Sequence, residues 1–315
     1  MKALLLGEAI KSRRIELGLS QERVCGGICD PATLSRIEAG RLTPAHSRIR
    51  ALFQRLNMPD DQYYALLSPH DLELRNARRE LLSYIGRFQR AGAGEKKRVW
   101  ELAMGQLRRL EELAEEDDAI TRQFILGHRA TLGRKDGPYS FEERLSMLLE
   151  ALRLTVPKFD LACMEQYRYT VDETRLINQI AVAYSQNGEH SKALELYDQL
   201  FQYIQKNDDR LSNYASHLTL IAHNYALKLV HLETYSKAVE IAEQGKQTSI
   251  KYADYQFLPG FLAILGECHY FLGQLEMSKK LFIQAHYLYE VLGDERNLKL
   301  IDPDIRERFH FKFPV

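Results

Sequence analysis

The sequence predicts an all-α protein in two parts: a compact group of five short helices, then a solenoid of long helix pairs. Three features of its 315 residues carry this expectation. Cap and stop residues follow one another closely up to Ser68-Pro69, long amphipathic runs take over beyond it, and the second half repeats itself. Strict apolar–polar alternation never persists, so no strand signal competes.

In the front part, Leu6, Ile10 and Leu17 share a helical face and Gly18 supplies a stop, predicting a first helix over about 4–17. Ser20 is placed to cap a very short second helix, with Val24 and Ile28 four apart and facing inward. Asp30 caps a third, Pro31 takes the first helical position where its missing N–H costs nothing, Leu34 and Ile37 point inward, and Gly40 ends it. Two more helices are expected over about 44–56, with Ile49, Leu52, Phe53 and Leu56 on one face, and about 59–67.

Two short helices joined by a glycine-containing turn are the plan of a DNA-binding helix-turn-helix. The stretch "LGLSQERVCGGICDPATLSRIEAG" closely resembles the Cro/repressor-type (XRE) family, in which a Ser/Thr-Gln pair opens the second helix and S-R-I-E-x-G closes the third; the likeness spans about residues 7–67. It implies that the third helix enters the major groove, with Pro31, Ala32, Thr33, Ser35 and Arg36 outward. Arg36 would read guanine O6 and N7, while Pro31 and Ala32 would make apolar contact, for instance with a thymine methyl. Ser20, Gln21 and Arg41, at helix ends, suit phosphate contact. The competing role for Arg36 is a solvated residue or a partner for Glu38 or Glu22.

Composition permits this. Net charge is zero, but residues 1–58 carry ten Lys/Arg against five acids, a local +5 of the sign phosphate contact needs. Apolar residues at 45% and charged residues at 27% describe a folded globular chain. Glu8 breaks the apolar run in "MKALLLGEAI" before a secretory or membrane segment can form, so a cytoplasmic protein with no membrane association is expected. The four cysteines (Cys25, Cys29, Cys163, Cys268) lack CxxC spacing, which favours buried thiols over disulfides or zinc ligands.

Beyond a linker at 68–71, where the residue before Pro69 is pushed out of helix, long helices are expected over about 71–91, 94–114, 118–133 and 140–155, the last opened by the capping box "SFEE". Repetition follows in "IAVAYSQNGEHSKALELYDQLF", "IAHNYALKLVHLETYSKAVEIAEQG" and "LAILGECHYFLGQLEMSKKLFIQAHYLY". Tyr184, Tyr225 and Tyr270 recur near the ends of apolar helices, and Ser-Lys-Ala or a variant opens the next. This resembles the tetratricopeptide repeat (TPR), in which small residues at Ala181, Ala193, Ala222, Ala238 and Gly266 let paired helices approach. The layout expected is a helix-turn-helix domain over 1–67, the linker, a TPR-like superhelix over 72–302 that senses peptide and dimerises, and a tail over 303–315.

An XRE-type module followed by long TPRs resembles the RRNPP group of quorum-sensing transcriptional regulators of Gram-positive bacteria, most nearly its PlcR- and Rgg-like members. That resemblance implies a short imported signalling peptide held in the TPR groove and a change in the DNA-bound state. It also implies that repeat-helix asparagines hold the peptide backbone, since an amide both donates and accepts. Asn178 and Asn224 stand at matching positions; buried amides that merely tie helices together are the alternative. Arg87 and Arg90 would meet a peptide carboxylate. A homodimer on double-stranded DNA with an inverted-repeat operator is expected, because a single helix-turn-helix buries too little surface for selective binding.

Enzyme chemistry has no footing here. His217, His223 and His231 are not spaced to share a helical turn as metal ligands, and no phosphate loop or G-x-S-x-G occurs. The acidic run Glu111, Glu112, Glu115, Glu116, Asp117, Asp118 reads as a solvated face. Neither cofactor nor metal is expected. The function predicted is a peptide-controlled, sequence-specific DNA-binding regulator; the alternative is an XRE-type repressor or adaptor with TPRs, controlled by a protein partner.

Overall fold

Local chemistry sets the front helices. The computed structural model describes residues 2–58, 69–90, 93–133, 139–160, 164, 166–207 and 214–310, with the side chains of 2–5, 89, 90, 93 and 304 excepted. Within it α1 (Lys2–Glu16), α2 (Gln21–Cys25), α3 (Pro31–Glu38) and α4 (His46–Leu56) follow the expected order. The Ser20 hydroxyl accepts from the Arg23 N–H at 3.3 Å, and Asp30 accepts from the Thr33 N–H at 2.8 Å. Leu6, Ile10, Val24, Leu34, Ile37, Leu52, Phe53 and Leu56 form the shared core. α2 stops one turn sooner than the Val24/Ile28 spacing implies, because Gly27 adopts φ +73° and turns the chain; Ile28 is buried nonetheless. The fifth helix expected over 59–67 lies outside the described residues.

The long helices are α5 (Pro69–Arg90), α6 (Ala93–Leu113), α7 (Ala119–Leu132), α8 (Phe141–Thr155), α9 (Val171–Gln186), α10 (His190–Lys206), α11 (Tyr214–His231), α12 (Tyr235–Lys251), α13 (Leu258–Phe271), α14 (Leu275–Val291) and α15 (Glu295–Phe309). No strand occurs among the described residues. Capping boxes open α8 at Ser140/Glu143, as expected, and α9 at Thr170/Glu173.

Two boundaries need correction. The linker expected at 68–71 is helical from Pro69 onward: the proline that signalled a break instead occupies a helix start, where its fixed φ suits the first turn. The tail expected at 303–315 is helical to Phe309. Buried Ile301 and Ile305 straddle Pro303, and Arg308 pairs with Glu267 on α13, so docking holds the helix past the proline.

By packing the chain divides into two units, residues 1–196 with 206–212 and residues 197–205 with 213–315. In the first, α5 pairs with α6 and α7 with α8; in the second, α11 pairs with α12 and α13 with α14, and α15 covers α14. Ala181, Ala193, Ala222 and Ala238 are fully buried, and a Cβ on Gly266 would lie 3.0 Å from the Phe282 ring.

The repeated Tyr and Ser-Lys-Ala have a physical link. Lys192 Nζ lies 5.1 Å from the Tyr184 ring centroid and Lys237 Nζ lies 5.4 Å from that of Tyr225, each the lysine of its own repeat. In the third repeat Arg308 takes the place over Tyr270, at 4.4 Å. A cation over an aromatic face joins the two helices of a hairpin more specifically than apolar contact does. Among the described residues, no helix is long and apolar enough to cross a membrane.

Candidate nucleic-acid interface and repeat-helix sites

The outer surface of α3 is built by what lies beneath it. Arg14 on α1 holds Glu38 through two bonds, Nε at 2.6 Å and Nη2 at 2.9 Å, and its Nη1 donates to the Leu19 carbonyl. Gln21 Nε2 also donates to Glu38, at 2.9 Å. A buried carboxylate thus locks the end of α3 to α1 and to the start of α2, which is the physical work of the glutamate in S-R-I-E. Pro31, Ala32, Ser35 and Arg36 remain exposed on the opposite side, and Ser20 and Arg41 are exposed at helix ends.

Thr33 departs from the expected outward set. It is buried, its hydroxyl donates to Asp30 at 2.6 Å, and it accepts from Arg36 Nη2 at 3.0 Å. A threonine three residues after an aspartate cap is drawn into the cap instead of out toward solvent. Those Thr33 bonds hold the Asp30 carboxyl below its usual range. Gln21, expected to meet phosphate, is half-buried and committed to Glu38. Arg36 pairs with neither Glu38 nor Glu22 in the described contacts.

The basic residues of the front part divide in the same way. Arg48 pairs with Asp117 and donates to its carbonyl, while the Ser47 hydroxyl lies 3.4 Å from Asp118, which also caps α7. The end of the acidic run, Asp117 and Asp118, therefore docks α4, while Glu112, Glu115 and Glu116 are exposed as a solvated face. Arg55 is 5% exposed and donates to Glu173, 1% exposed, at 3.0 Å; it also bonds the carbonyls of Val24, Gly26 and Thr155. Gln54 accepts from the Val171 N–H at 3.3 Å. Gly27 completes the junction, since a Cβ there would lie 1.9 Å from the Thr155 oxygen. Glu173 serves twice, as the capping-box residue of α9 and as the partner of α4. Sequence spacing gave no sign of Arg55 and Glu173 as a pair.

The candidate ligand residues sit on separate elements. Asn178 lies on α9 and is fully buried. Asn224 lies on α11, half-buried beside His223, whose imidazole burial pushes down to about 4 against a smaller opposing effect of the Asn224 amide. Arg87 is exposed on α5 and pairs with Glu95 at 2.9 Å. Arg90 ends α5, and its side chain lies outside the described residues. No group of three His, Cys, Asp or Glu able to hold a metal occurs among the described residues.

Comparison with known proteins adds the family. Residues 5–66 match the family model of a helix-turn-helix domain, and residues 146–302 match that of the RNPP family C-terminal domain. The crystal structure of Bacillus thuringiensis PlcR in complex with the peptide PapR7 and DNA is similar over 95% of this chain and 99% of that one, at 17% identity and a TM-score of 0.61. The crystal structure of ComR from S. thermophilus in complex with DNA and its signalling peptide ComS is similar over 95% of this chain and 98% of that one, at 15% identity and a TM-score of 0.51. At such identities the likeness shows the fold: a helix-turn-helix followed by TPR-like helical repeats. A search of curated protein sequences finds no match.

Proposed function

We propose that this chain, which belongs to the RNPP family, is a cytoplasmic DNA-binding transcriptional regulator whose DNA-bound state is set by a short signalling peptide. Residues 1–67 would read an inverted-repeat operator as a homodimer, and the repeats of 72–302 would hold the peptide. No catalytic step and no cofactor belong to this proposed function. The observation that carries it is the exposed face of α3, held in place from behind by Arg14 and Glu38, in a chain that also carries an RNPP C-terminal domain. Structures of similar fold are named for complexes with both DNA and a signalling peptide, which supports both halves of the reading.

Pro31, Ala32, Ser35 and Arg36 are the proposed base-facing residues, with Ser20 and Arg41 at phosphates; Thr33 and Gln21 act behind them by fixing α3. Purified protein should bind the duplex upstream of its own gene, more weakly as salt rises, because phosphate contacts release counterions. Arg36→Ala should cost about 1–3 kcal/mol and relax preference at one base pair, as loss of a bidentate contact does. An unchanged ratio of affinities for that duplex and a scrambled one would remove Arg36 as a reader.

Asn178 and Asn224 are the proposed backbone-holding amides, with Arg87 and Arg90 at the carboxylate. Because Asn178 is enclosed, a peptide reaches it only as neighbours of α9 shift. Each Asn→Ala variant should weaken binding of a synthetic peptide, taken from a small reading frame beside the gene, by about 1–3 kcal/mol through unpaired polar groups. Calorimetry with a melting curve for each variant checks this. Unchanged affinity in both would make the amides ties between helices, and a peptide-independent protein would point to a protein partner instead.

A further inference from the structure

We propose that Cys25 and Cys29 are a redox-modification site, closing a reversible disulfide across the helix-turn-helix turn when a peroxide is present. In "VCGGIC" two of the four cysteines stand four residues apart. The turn after α2 folds one toward the other: the Cys29 N–H donates to the Cys25 carbonyl at 3.0 Å and the Ile28 N–H donates to the same oxygen at 2.8 Å, which brings the two thiols within range of one another. The Cys29 N–H to Cys25 carbonyl bond closes a single turn of chain between the two residues, and a disulfide there needs the Cβ atoms about 3.5–4.5 Å apart. Gly27 is packed against the Thr155 backbone, so the movement that closure requires falls on the Cys29 side of the turn.

The surroundings favour the chemistry. Cys29 keeps its proton, and its interaction with Cys25 holds the Cys25 thiol below the usual range, while the same interaction and burial hold Cys29 well above it. Arg55 outweighs Glu22 at Cys25, whereas Asp30 outweighs Arg48 at Cys29, so the local charge favours the thiolate at Cys25. Cys25 is enclosed, whereas Cys29 is half-buried and reachable. Cys268 is the contrast: it is buried on α13, where desolvation, with Glu267 nearby, pushes its thiol up to about 12.

With hydrogen peroxide as oxidant, the proton left on the pair passes from Cys29 to Cys25, and the half-buried Cys29 thiolate so formed attacks one oxygen. An S–O bond forms, the O–O bond breaks, and the departing hydroxide takes up the pair's released proton as water. The Cys25 sulfur then attacks the sulfenic sulfur; the S–S bond forms, the S–O bond breaks, and the hydroxide leaves with the Cys25 proton as a second water. Two thiols supply the two electrons that reduce one peroxide, and a thiol reductant reverses the change.

Cys29 directly precedes Asp30, the cap of the recognition helix. Gly27 is pressed on the Thr155 backbone, so closure is taken up on the Cys29 side and disturbs the Asp30–Thr33 cap. Lower affinity of the oxidised protein for DNA follows, a consequence that rests on the proposed DNA-binding function.

The test uses reduced full-length protein, a stoichiometric dose of hydrogen peroxide, alkylation, trypsin and mass spectrometry. Cleavage after Arg23 and Arg36 leaves both cysteines in one peptide, Val24–Arg36. It should escape alkylation, lose the mass of two hydrogens at least about tenfold faster than Cys268 is oxidised, and recover with dithiothreitol. Cys29→Ser should leave Cys25 alkylatable at the same dose, and a melting curve verifies that the variant folds; the wild-type peptide decides the matter if it does not. A peptide that stays alkylated while Cys268 or Cys163 reacts, gains oxygen without losing hydrogen, or links two chains overturns the proposal. In parallel, binding to the duplex upstream of the gene should fall at least about tenfold on oxidation and return with dithiothreitol, as a disturbed recognition helix requires. Equal binding by both forms overturns the regulatory consequence. No binding even when reduced, with the disulfide formed, defeats the DNA-binding function and leaves the thiol site supported.

Discussion

Replacing Arg55 by alanine is expected to destabilise the unit that contains α1–α9 by about 3–5 kcal/mol, as loss of one partner of a buried ion pair does. Its guanidinium donates to the Glu173 carboxylate and to the Val24, Gly26 and Thr155 carbonyls, all in a setting with almost no solvent. Alanine leaves the carboxylate without its cation and strips a donor from each carbonyl. Urea unfolding of the full chain followed by circular dichroism measures the loss. Arg55→Met combined with Glu173→Gln should recover part of it, because the neutral amide leaves no uncompensated charge and still accepts from the Thr170 N–H in the capping box of α9. Arg87→Ala is the matched control: its pair with Glu95 is about half exposed on both sides, and such pairs contribute about 0–1 kcal/mol. A cost for Arg55→Ala no greater than that control would remove the buried pair as the tie between α4 and α9.

The same pair marks where sequence ceases to be informative. Ser20, Asp30, Pro31 and Ser140 act on backbone groups within three residues, so cap chemistry alone located the helices they open. The tyrosines and lysines of the repeats were legible because each motif recurs, although the cation over the ring was not. Arg55 and Glu173 are 118 residues apart, and no local rule relates them. Counting charge over residues 1–58 gave the right sign of net charge and the wrong use for several members. Arg14 serves Glu38, Arg48 serves Asp117 and Arg55 serves Glu173, so the cations left for phosphate are fewer than the census implies. Thr33 differs for a similar reason: helical periodicity puts it outward, but a cap three residues earlier claims its hydroxyl. Asn178 is fully buried on α9, and position along a helix does not reveal how deeply its neighbours cover it.

Stability should also fall as pH drops from 7 to 5, with a separate histidine responsible in each unit. Burial pushes His128 on α7 down to about 4, with Asp172 opposing and Arg175 and Arg78 assisting. Its ring lies 4.3 Å from that of Phe124, and its Nδ1 is buried without a hydrogen-bond partner. Burial likewise pushes His223 on α11 down to about 4, between Phe257 at 5.1 Å and Phe261 at 5.8 Å. In the unfolded chain both titrate near the ordinary value of about 6.5. Between those values the unfolded state binds more protons than the folded one, so the stabilisation is fully present above about pH 6.5 and is lost as pH falls toward 4. At about 1.4 kcal/mol per pKa unit, each histidine accounts for about 1–2 kcal/mol between pH 7 and 5. Asp172 adds nothing in that window. Burial pushes its carboxyl up, but Arg78, Arg50 and Arg175 outweigh it and hold the group below its usual range, so its contribution disappears only at lower pH. Urea midpoints at pH 7 and pH 5 measure the fall, and His128→Leu and His223→Leu should each flatten it for the unit they occupy, since neither variant has a proton to gain. A pH dependence in both variants as steep as in the parent would place the titrating groups elsewhere.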